Sequence, residues 1–255
     1  MNTLYQRLVE YHAQGRKAFA MLIDPDKVES PAVLAKQVRI AIEHNVDLFL
    51  VGGSLITDGD IGKAIEVIKS QSDVPVVLFP GSNMHIDISA DAILFLSLIS
   101  GRNPELLIGQ HVVAAPVLKR SRLEVISTGY ILVDSGNRTT VAYMSNTQPI
   151  PAEKPSVAAS TAVAGEMLGM KLIYLDGGSG AKNPVPYKMI NLVRKSVDVP
   201  LIVGGGIDSR EKAHRAMEAG ADFLIIGNGI EKNPDLLVEI SEKVGEFNQA
   251  LATLK

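Results

Sequence analysis

The stretch 172–229 reads LIYLDGGSGAKNPVPYKMINLVRKSVDVPLIVGGGIDSREKAHRAMEAGADFLIIGNG. Three short apolar runs, Leu172–Asp176, Leu201–Gly205 and Phe223–Gly227, each end in glycine or run directly into it. They do not alternate apolar with polar, which marks strands buried on both faces of a parallel sheet. Helical patterns separate them at Pro186–Lys195 and Ser209–Ala219. Ser209 stands at an N-cap position, and Gly220 at the position where a helix gives way to a left-handed residue. Strand, helix, strand, helix in this rhythm is a βαβ repeat.

The same unit extends back along the chain. Strands are expected at Phe19–Asp24, Leu48–Gly53, Val76–Pro80, Ala92–Ile99 and Ile126–Val133. Helices are expected at Met1–Arg16, Pro31–Glu43, Asp60–Ser70, Asn103–Gln110, Ser156–Leu168 and, after the last strand, Pro234–Leu251. Eight strands with intervening helices predict an α/β fold, a TIM (β/α)₈ barrel forming one domain over residues 1–255. Two connections depart from the rule. Only GSNMHIDISAD (81–91) joins strands three and four, too short for a helix and its two loops, so the barrel is expected to lack its third helix. The resulting gap is a candidate entrance for a long apolar substrate, against the plain alternative of a covering loop. The segment Val133–Tyr143 carries a Ser-Gly-Asn turn between apolar runs and is expected to be a β-hairpin, followed by the Pro-rich connector Asn146–Pro155.

Composition narrows the function classes. The 255 residues are 46% apolar and 21% charged, with net charge −3, which suits a folded globular chain and not a general nucleic-acid binder. No cysteine is present, so disulfides and thiolate chemistry are excluded. No apolar run is long enough to span a bilayer and the first residues lack a signal-peptide core, so a cytoplasmic location is expected, with any membrane contact peripheral.

Chemistry in a barrel of this kind belongs to the C-terminal ends of the strands. Strands six, seven and eight end in Asp176-Gly177-Gly178-Ser179-Gly180, Gly204-Gly205-Gly206 and Gly227-Asn228-Gly229. Glycines let backbone N–H groups approach an anion closely, and three such turns side by side predict a phosphate site. Strand one ends in Asp24-Pro25-Asp26-Lys27, where Asp24 suits Mg²⁺ and Lys27 a phosphate. Ser54, after strand two, can join the metal's shell. Asp26 and Lys27 also suit helix-start capping and solvated charge. Asp176 is placed to orient or deprotonate a substrate hydroxyl. Of five histidines, His12, His44, His111 and His214 fall on helices and are expected at the surface, while His85 lies in the short loop. Arg102 is a candidate diphosphate ligand. Lys119, Arg120 and Arg122 precede strand five as a solvated cluster on the opposite face.

An ordered set of segments then resembles one family. Leu22–Lys27, Val51–Ser54, Leu78–Ser82, Ser145–Pro151, Tyr174–Ala181, Val203–Ile207 and Gly227–Asn228 are similar to the geranylgeranylglyceryl phosphate synthase family, and they span nearly the whole chain. The resemblance implies a prenyltransferase that joins geranylgeranyl diphosphate to the 3-hydroxyl of sn-glycerol 1-phosphate. It implies Mg²⁺ at Asp24 and Ser54. It implies glycerol phosphate held by Tyr174, Leu175, Asp176, Gly177, Gly178, Ser179 and Gly180, by Gly205 and Gly206, and by Gly227 and Asn228. It also implies a barrel without its third helix, and a homo-oligomer, dimer or hexamer. The family usually has Glu where this chain has Asp176, a carboxylate one methylene shorter. Two other classes stay open on the residues alone: another phosphate-binding barrel enzyme such as a sugar-phosphate isomerase, or a non-catalytic barrel that binds a phosphate or lipid.

Overall fold

A computed structural model describes residues 3–227, 229, 230, 233 and 235–253. Eight parallel strands close on themselves in sequence order. They are β1 (Ala18–Ile23), β2 (Leu48–Gly53), β3 (Val76–Pro80), β4 (Ala92–Leu98), β5 (Glu124–Leu132), β6 (Leu172–Asp176), β7 (Leu201–Gly204) and β8 (Phe223–Ile226). The ring shuts where Ala18 pairs with Phe223 and Ala20 with Ile225. The helices are α1 (Leu4–Gln14), α2 (Pro31–Glu43), α3 (Ile61–Lys69), α4 (Gln110–Arg120), α5 (Thr140–Ser145), α6 (Pro155–Met167), α7 (Tyr187–Arg194), α8 (Arg210–Glu218) and α9 (Asp235–Thr253). Among the described residues no helix is long and apolar enough to cross a membrane.

The period of two along each strand divides the core into two layers. Ala20, Leu50, Val77, Leu94, Ile126, Tyr130, Tyr174, Ile202 and Ile225 fill the barrel's interior. Their neighbours Met21, Phe49, Val51, Leu78, Ile131, Leu175, Val203 and Leu224 point outward beneath the helices. Both sides of every strand are therefore apolar, which is why the strands read as continuous runs. Local chemistry sets the helix starts. Ser30 accepts the N–H of Val33 ahead of Pro31, and Ser209 accepts that of Lys212.

The third crossover carries no α-helix. Between Pro80 and Ala92 the chain makes one 3₁₀ turn, Asn83–His85, started by Ser82. Asn83 then donates to Gln110 Oε1 (2.7 Å), tying this loop to α4 across the gap. Two expectations need correction. Val133–Tyr143 is not a hairpin. Gly136 turns the chain, and it enters α5 instead of returning. Both edges of β5 are already occupied by β4 and β6, so no strand can pair back along it; Val133 bridges only to Ile150. The helix expected at Asn103–Gln110 is the start of a longer one: a π-helical turn over Glu105–Gly109 runs into α4, which continues past the exposed Pro116 to Lys119 and Arg120. His111 is therefore buried, not on the surface.

At the N-terminal end α1 caps the barrel, with Leu4, Tyr5 and Tyr11 against the inner core. Three carboxylates hold the helix there. Glu124 accepts the first N–H groups of α1 from Leu4 and Tyr5, and Asp47 accepts from Arg16. Asp222, 3% exposed, takes Arg194 (2.8 Å), His12 (2.9 Å) and the Leu201 N–H (2.9 Å), with Lys17 at 3.6 Å. His12 is therefore an anchor and not a surface histidine. Burial pushes the Asp222 carboxyl up, but the hydrogen bonds from His12 and Leu201 and the charge of Lys17 outweigh it and hold the group below its ordinary 3.8. Its stabilisation is thus complete above that value and lost as pH falls through the depressed one. Asp222→Ala, which strands Arg194 and Lys17 without their partner, should cost about 3–5 kcal/mol at neutral pH in urea unfolding. A change under 1 kcal/mol would show the cluster to be dispensable.

Candidate active site

The C-terminal ends of β1, β2, β3, β6, β7 and β8 surround a cavity of about 270 Å³ with mixed polar and apolar walls. Of the residues singled out in the sequence, Asp24, Lys27, Ser54, Tyr174, Asp176, Gly178, Ser179, Gly180, Gly205, Gly206 and Gly227 line it. Two do not. Leu175 is fully buried and faces the outer helices, because the strand's alternation sends it away from the barrel axis that Tyr174 and Asp176 face. Gly177 is structural: its N–H donates to the Gly204 carbonyl. Asn228 lies outside the described residues.

The glycines of strand seven's loop are there for space and for backbone shape. Gly205 has φ +79°, and a Cβ on it would stand 2.7 Å from Asp176 Oδ1. Gly206 has φ +70°, and a Cβ there would stand 2.7 Å from the Asn183 carbonyl oxygen. With Gly178 and Gly180, also left-handed, they line one side of the cavity. Turns of this kind make concave clusters of N–H groups suited to phosphate.

Asp176 is almost wholly buried. Its Oδ2 accepts the Tyr130 hydroxyl (2.6 Å) and its Oδ1 the Gly178 N–H (2.8 Å). Burial pushes its carboxyl above the ordinary carboxylate value, while the bonds from Tyr130 and Gly178 oppose that rise. The same burial, with Asp176's charge beside them, pushes the Tyr130 and Tyr174 phenols well up, so both stay protonated donors. Tyr130 was not singled out in the sequence. The period of two along β5, Ile126, Thr128, Tyr130, places it at the inner face near the strand's end, but its carboxylate partner sits 46 residues away.

Opposite, Asp24 accepts the Asp26 N–H at Oδ1 (3.2 Å) and lies 3.6 Å from Lys27 Nζ at Oδ2. Its side chain is 20% exposed. Asp26 does more than cap. Its carboxylate accepts Thr57 N–H and hydroxyl, Asp58 N–H and Gly59 N–H, which fastens the loop after β2 to the loop after β1. The slight burial of Asp26 pushes its carboxyl up, and these four bonds outweigh that and lower it. Arg102 is spent elsewhere, donating to the carbonyls of Ile99 and Gly101 at the end of β4. No cluster of three metal-ligating side chains occurs among the described residues. One carboxylate and one hydroxyl, Asp24 and Ser54, on the same cavity wall fit Mg²⁺, which keeps several waters and needs few protein ligands.

A second cavity adjoins the first. It is a groove of about 710 Å³, more apolar than the first but with Asp58, Asp60 and Asp87 also in its lining, running from the barrel mouth over the short loop where the third helix is missing. Leu55, Met84, Ile86, Leu96, Leu106 and Val141 are among its walls. Gly53, Ser54, Leu55 and Phe79 line both cavities. His85, buried in the loop, accepts the Gly81 N–H (3.1 Å) and lines the groove, so it supports the loop's shape.

Residues 12–245 match the PcrB family. A geranylgeranylglyceryl phosphate synthase of Spirosoma linguale is 58% identical over 244 residues, covering 96% of this chain and 98% of that protein. One of Thermococcus gammatolerans is 43% identical, covering 96% of each. Among solved structures, the chain superposes on (S)-3-O-geranylgeranylglyceryl phosphate synthase of Thermoplasma acidophilum, solved with its substrate sn-glycerol-1-phosphate, with TM-score 0.90 at 33% identity, covering 96% of this chain and 100% of that one. The tryptophan synthase α chain of Legionella pneumophila, at 14% identity and TM-score 0.60, shares the barrel.

Binding of inorganic phosphate, followed by calorimetry, checks the anion site. Gly205→Ala and Gly206→Ala should each weaken it by about tenfold or more, since a single lost charge-assisted hydrogen bond is worth about 1.5–3 kcal/mol. Gly169→Ala is the control: it has φ +85° with nothing within 4 Å of the added Cβ, so it carries the backbone strain alone. Equal weakening in all three would mean strain, not the site, is responsible.

Proposed function

The chain belongs to the PcrB family, and from that premise we propose that it is a geranylgeranylglyceryl phosphate synthase, joining geranylgeranyl diphosphate to the 3-hydroxyl of sn-glycerol 1-phosphate and releasing diphosphate. The observation that carries this reading is the pair of cavities. A cavity of about 270 Å³, with left-handed glycine turns along one side, adjoins a larger and more apolar groove of about 710 Å³, and the two share the ends of β2 and β3. A sugar-phosphate isomerase has no use for the second.

The glycerol phosphate is held by the glycine loops after β6 and β7, its anion against their N–H groups. Asp176 faces its hydroxyls. Each oxygen of that carboxylate has one hydrogen bond already and retains a further lone pair. The 3-hydroxyl donates to it, and its proton passes there as the oxygen attacks. The side chain, one methylene shorter than the Glu usual in the family, is fixed in orientation at both oxygens. Asp24 and Ser54 would hold Mg²⁺ against the diphosphate. When bound, the ion supplies neutralisation of charge that grows on the leaving group. Lys27, 3.6 Å from Asp24, supplies a second cation beside the same phosphates. The prenyl chain lies in the groove along Leu55, Leu96, Leu106 and Val141.

Radiolabelled sn-glycerol 1-phosphate and geranylgeranyl diphosphate test the reaction, with butanol-extractable label as readout. Label should pass into butanol, vanish with EDTA, and fall about a hundredfold or more in Asp24→Asn with thermal stability unchanged. No label with any prenyl diphosphate rejects the function; label indifferent to EDTA rejects the metal. The pH profile tests Asp176. Activity should fall on the acid side through a value above the ordinary carboxylate range, because burial raises this group. Tyr130→Phe removes one of the bonds that oppose the rise, so the acid limb should move to higher pH. An unmoved limb would take Asp176 out of the proton transfer.

A further inference from the structure

Three aromatic rings stand where the two cavities meet. Phe79 lines both, Tyr130 lines the groove, and Tyr174 lines the smaller cavity. Their centroids are 5.6 Å (Phe79 and Tyr174), 6.1 Å (Phe79 and Tyr130) and 5.3 Å (Tyr130 and Tyr174) apart. No ring stacks flat on another; the interplanar angles are 35°, 57° and 85°. Phe79 is the last inward-facing residue of β3, and Tyr130 and Tyr174 are the last but one of β5 and β6, ahead of Leu132 and Asp176. β2 ends beside them in Gly52, Gly53 and Ser54.

This inference rests on the function proposed above. With the diphosphate at Asp24 and Ser54, the tail in the groove and the glycerol phosphate at the glycine loops, C1 of the prenyl chain has one place to be. It lies at the shared wall, beside Phe79. We propose that Phe79 is a catalytic residue whose ring face stabilises the positive charge that develops at C1, with Tyr130 and Tyr174 completing an aromatic floor beneath it. The step balances within the two substrates. The C1–O bond to diphosphate breaks with its electron pair on the diphosphate oxygen. The 3-hydroxyl oxygen forms the new bond to C1, and its proton passes to Asp176. Between those events the allylic carbon is cationic in character, and a ring face is attractive to a cation within about 6 Å of its centroid. The site is closed to water on this side: Phe79, Tyr130 and Tyr174 are 9%, 5% and 1% exposed. A desolvated cation gains most from a ring, and a dry floor also denies C1 the competing attack by water.

Phe79 has no hydroxyl, so its electronics can be changed without touching a hydrogen bond. The test replaces it with 4-fluoro-, 3,5-difluoro- and 3,4,5-trifluorophenylalanine in the full-length protein. Each fluorine draws electron density from the ring face at nearly constant volume. Single-turnover rates with saturating geranylgeranyl diphosphate should fall stepwise, reaching about thirtyfold for the trifluoro ring. That is about 2 kcal/mol at 1.36 kcal/mol per tenfold. KM for sn-glycerol 1-phosphate should stay within about twofold, which a general loss of packing would not allow. Rates that are flat across the series, or that drop at the first fluorine and no further, would overturn the proposal. Wild-type protein that transfers no prenyl group would instead remove the function on which it rests.

Discussion

A ring of eight parallel strands has no free edge, and closure at the pairing of β1 with β8 governs everything built on it. Closure makes the strands' C-terminal ends converge, so residues remote in the chain become neighbours. Asp24, Ser54, Phe79, Tyr130, Asp176 and Gly206 come from six strand ends and surround one space. It also leaves β5 with no edge to offer, which is why the expected hairpin after it became α5. At the other end the same convergence leaves the barrel open. There α1 and its three carboxylate anchors close it.

Given that frame, the chemistry depends on how a carboxylate can be kept in the interior. Asp176 is buried at the end of β6, and an isolated charge there would be costly. Its two hydrogen bonds lower that cost and fix its orientation together. Tyr130 reaches it from the neighbouring strand, and Gly178 turns its N–H back from the loop that follows. Gly205 must lack a side chain for Asp176 to sit where it does. The glycine loops and the carboxylate are thus a single packed unit.

The missing helix gives the barrel its second cavity. A helix between β3 and β4 would cover the outer face that the groove now crosses. In its place stands a short loop held by Asn83 to α4 and by His85 to Gly81. The two cavities, the groove the more apolar, then share one wall. A substrate with an anionic head and a long hydrocarbon tail can lie across the boundary, with its reacting carbon at the aromatic rings.

The sequence by itself determined a good deal. Continuous apolar runs spaced by capped helices carry the barrel, because parallel strands must be apolar on both faces. Glycine after strands six and seven was legible as the turns that shape the cavity's wall, because only glycine takes left-handed backbone so readily. The eleven residues between Gly81 and Asp91 cannot hold a helix and its loops, so the gap was legible too. What required the tertiary structure was partnership across the ring. Nothing near Tyr130 in the chain points to Asp176, and nothing near Phe79 points to the junction of two cavities. Asp26, read as a cap, turned out to clamp a loop more than thirty residues away. His12, read as a surface residue, is bound to a buried carboxylate 210 residues on. A sequence pattern reports the period of one strand or helix and the turn that ends it. Which side chains meet is set by closure, register and strand order, and those exist only when the ring is complete.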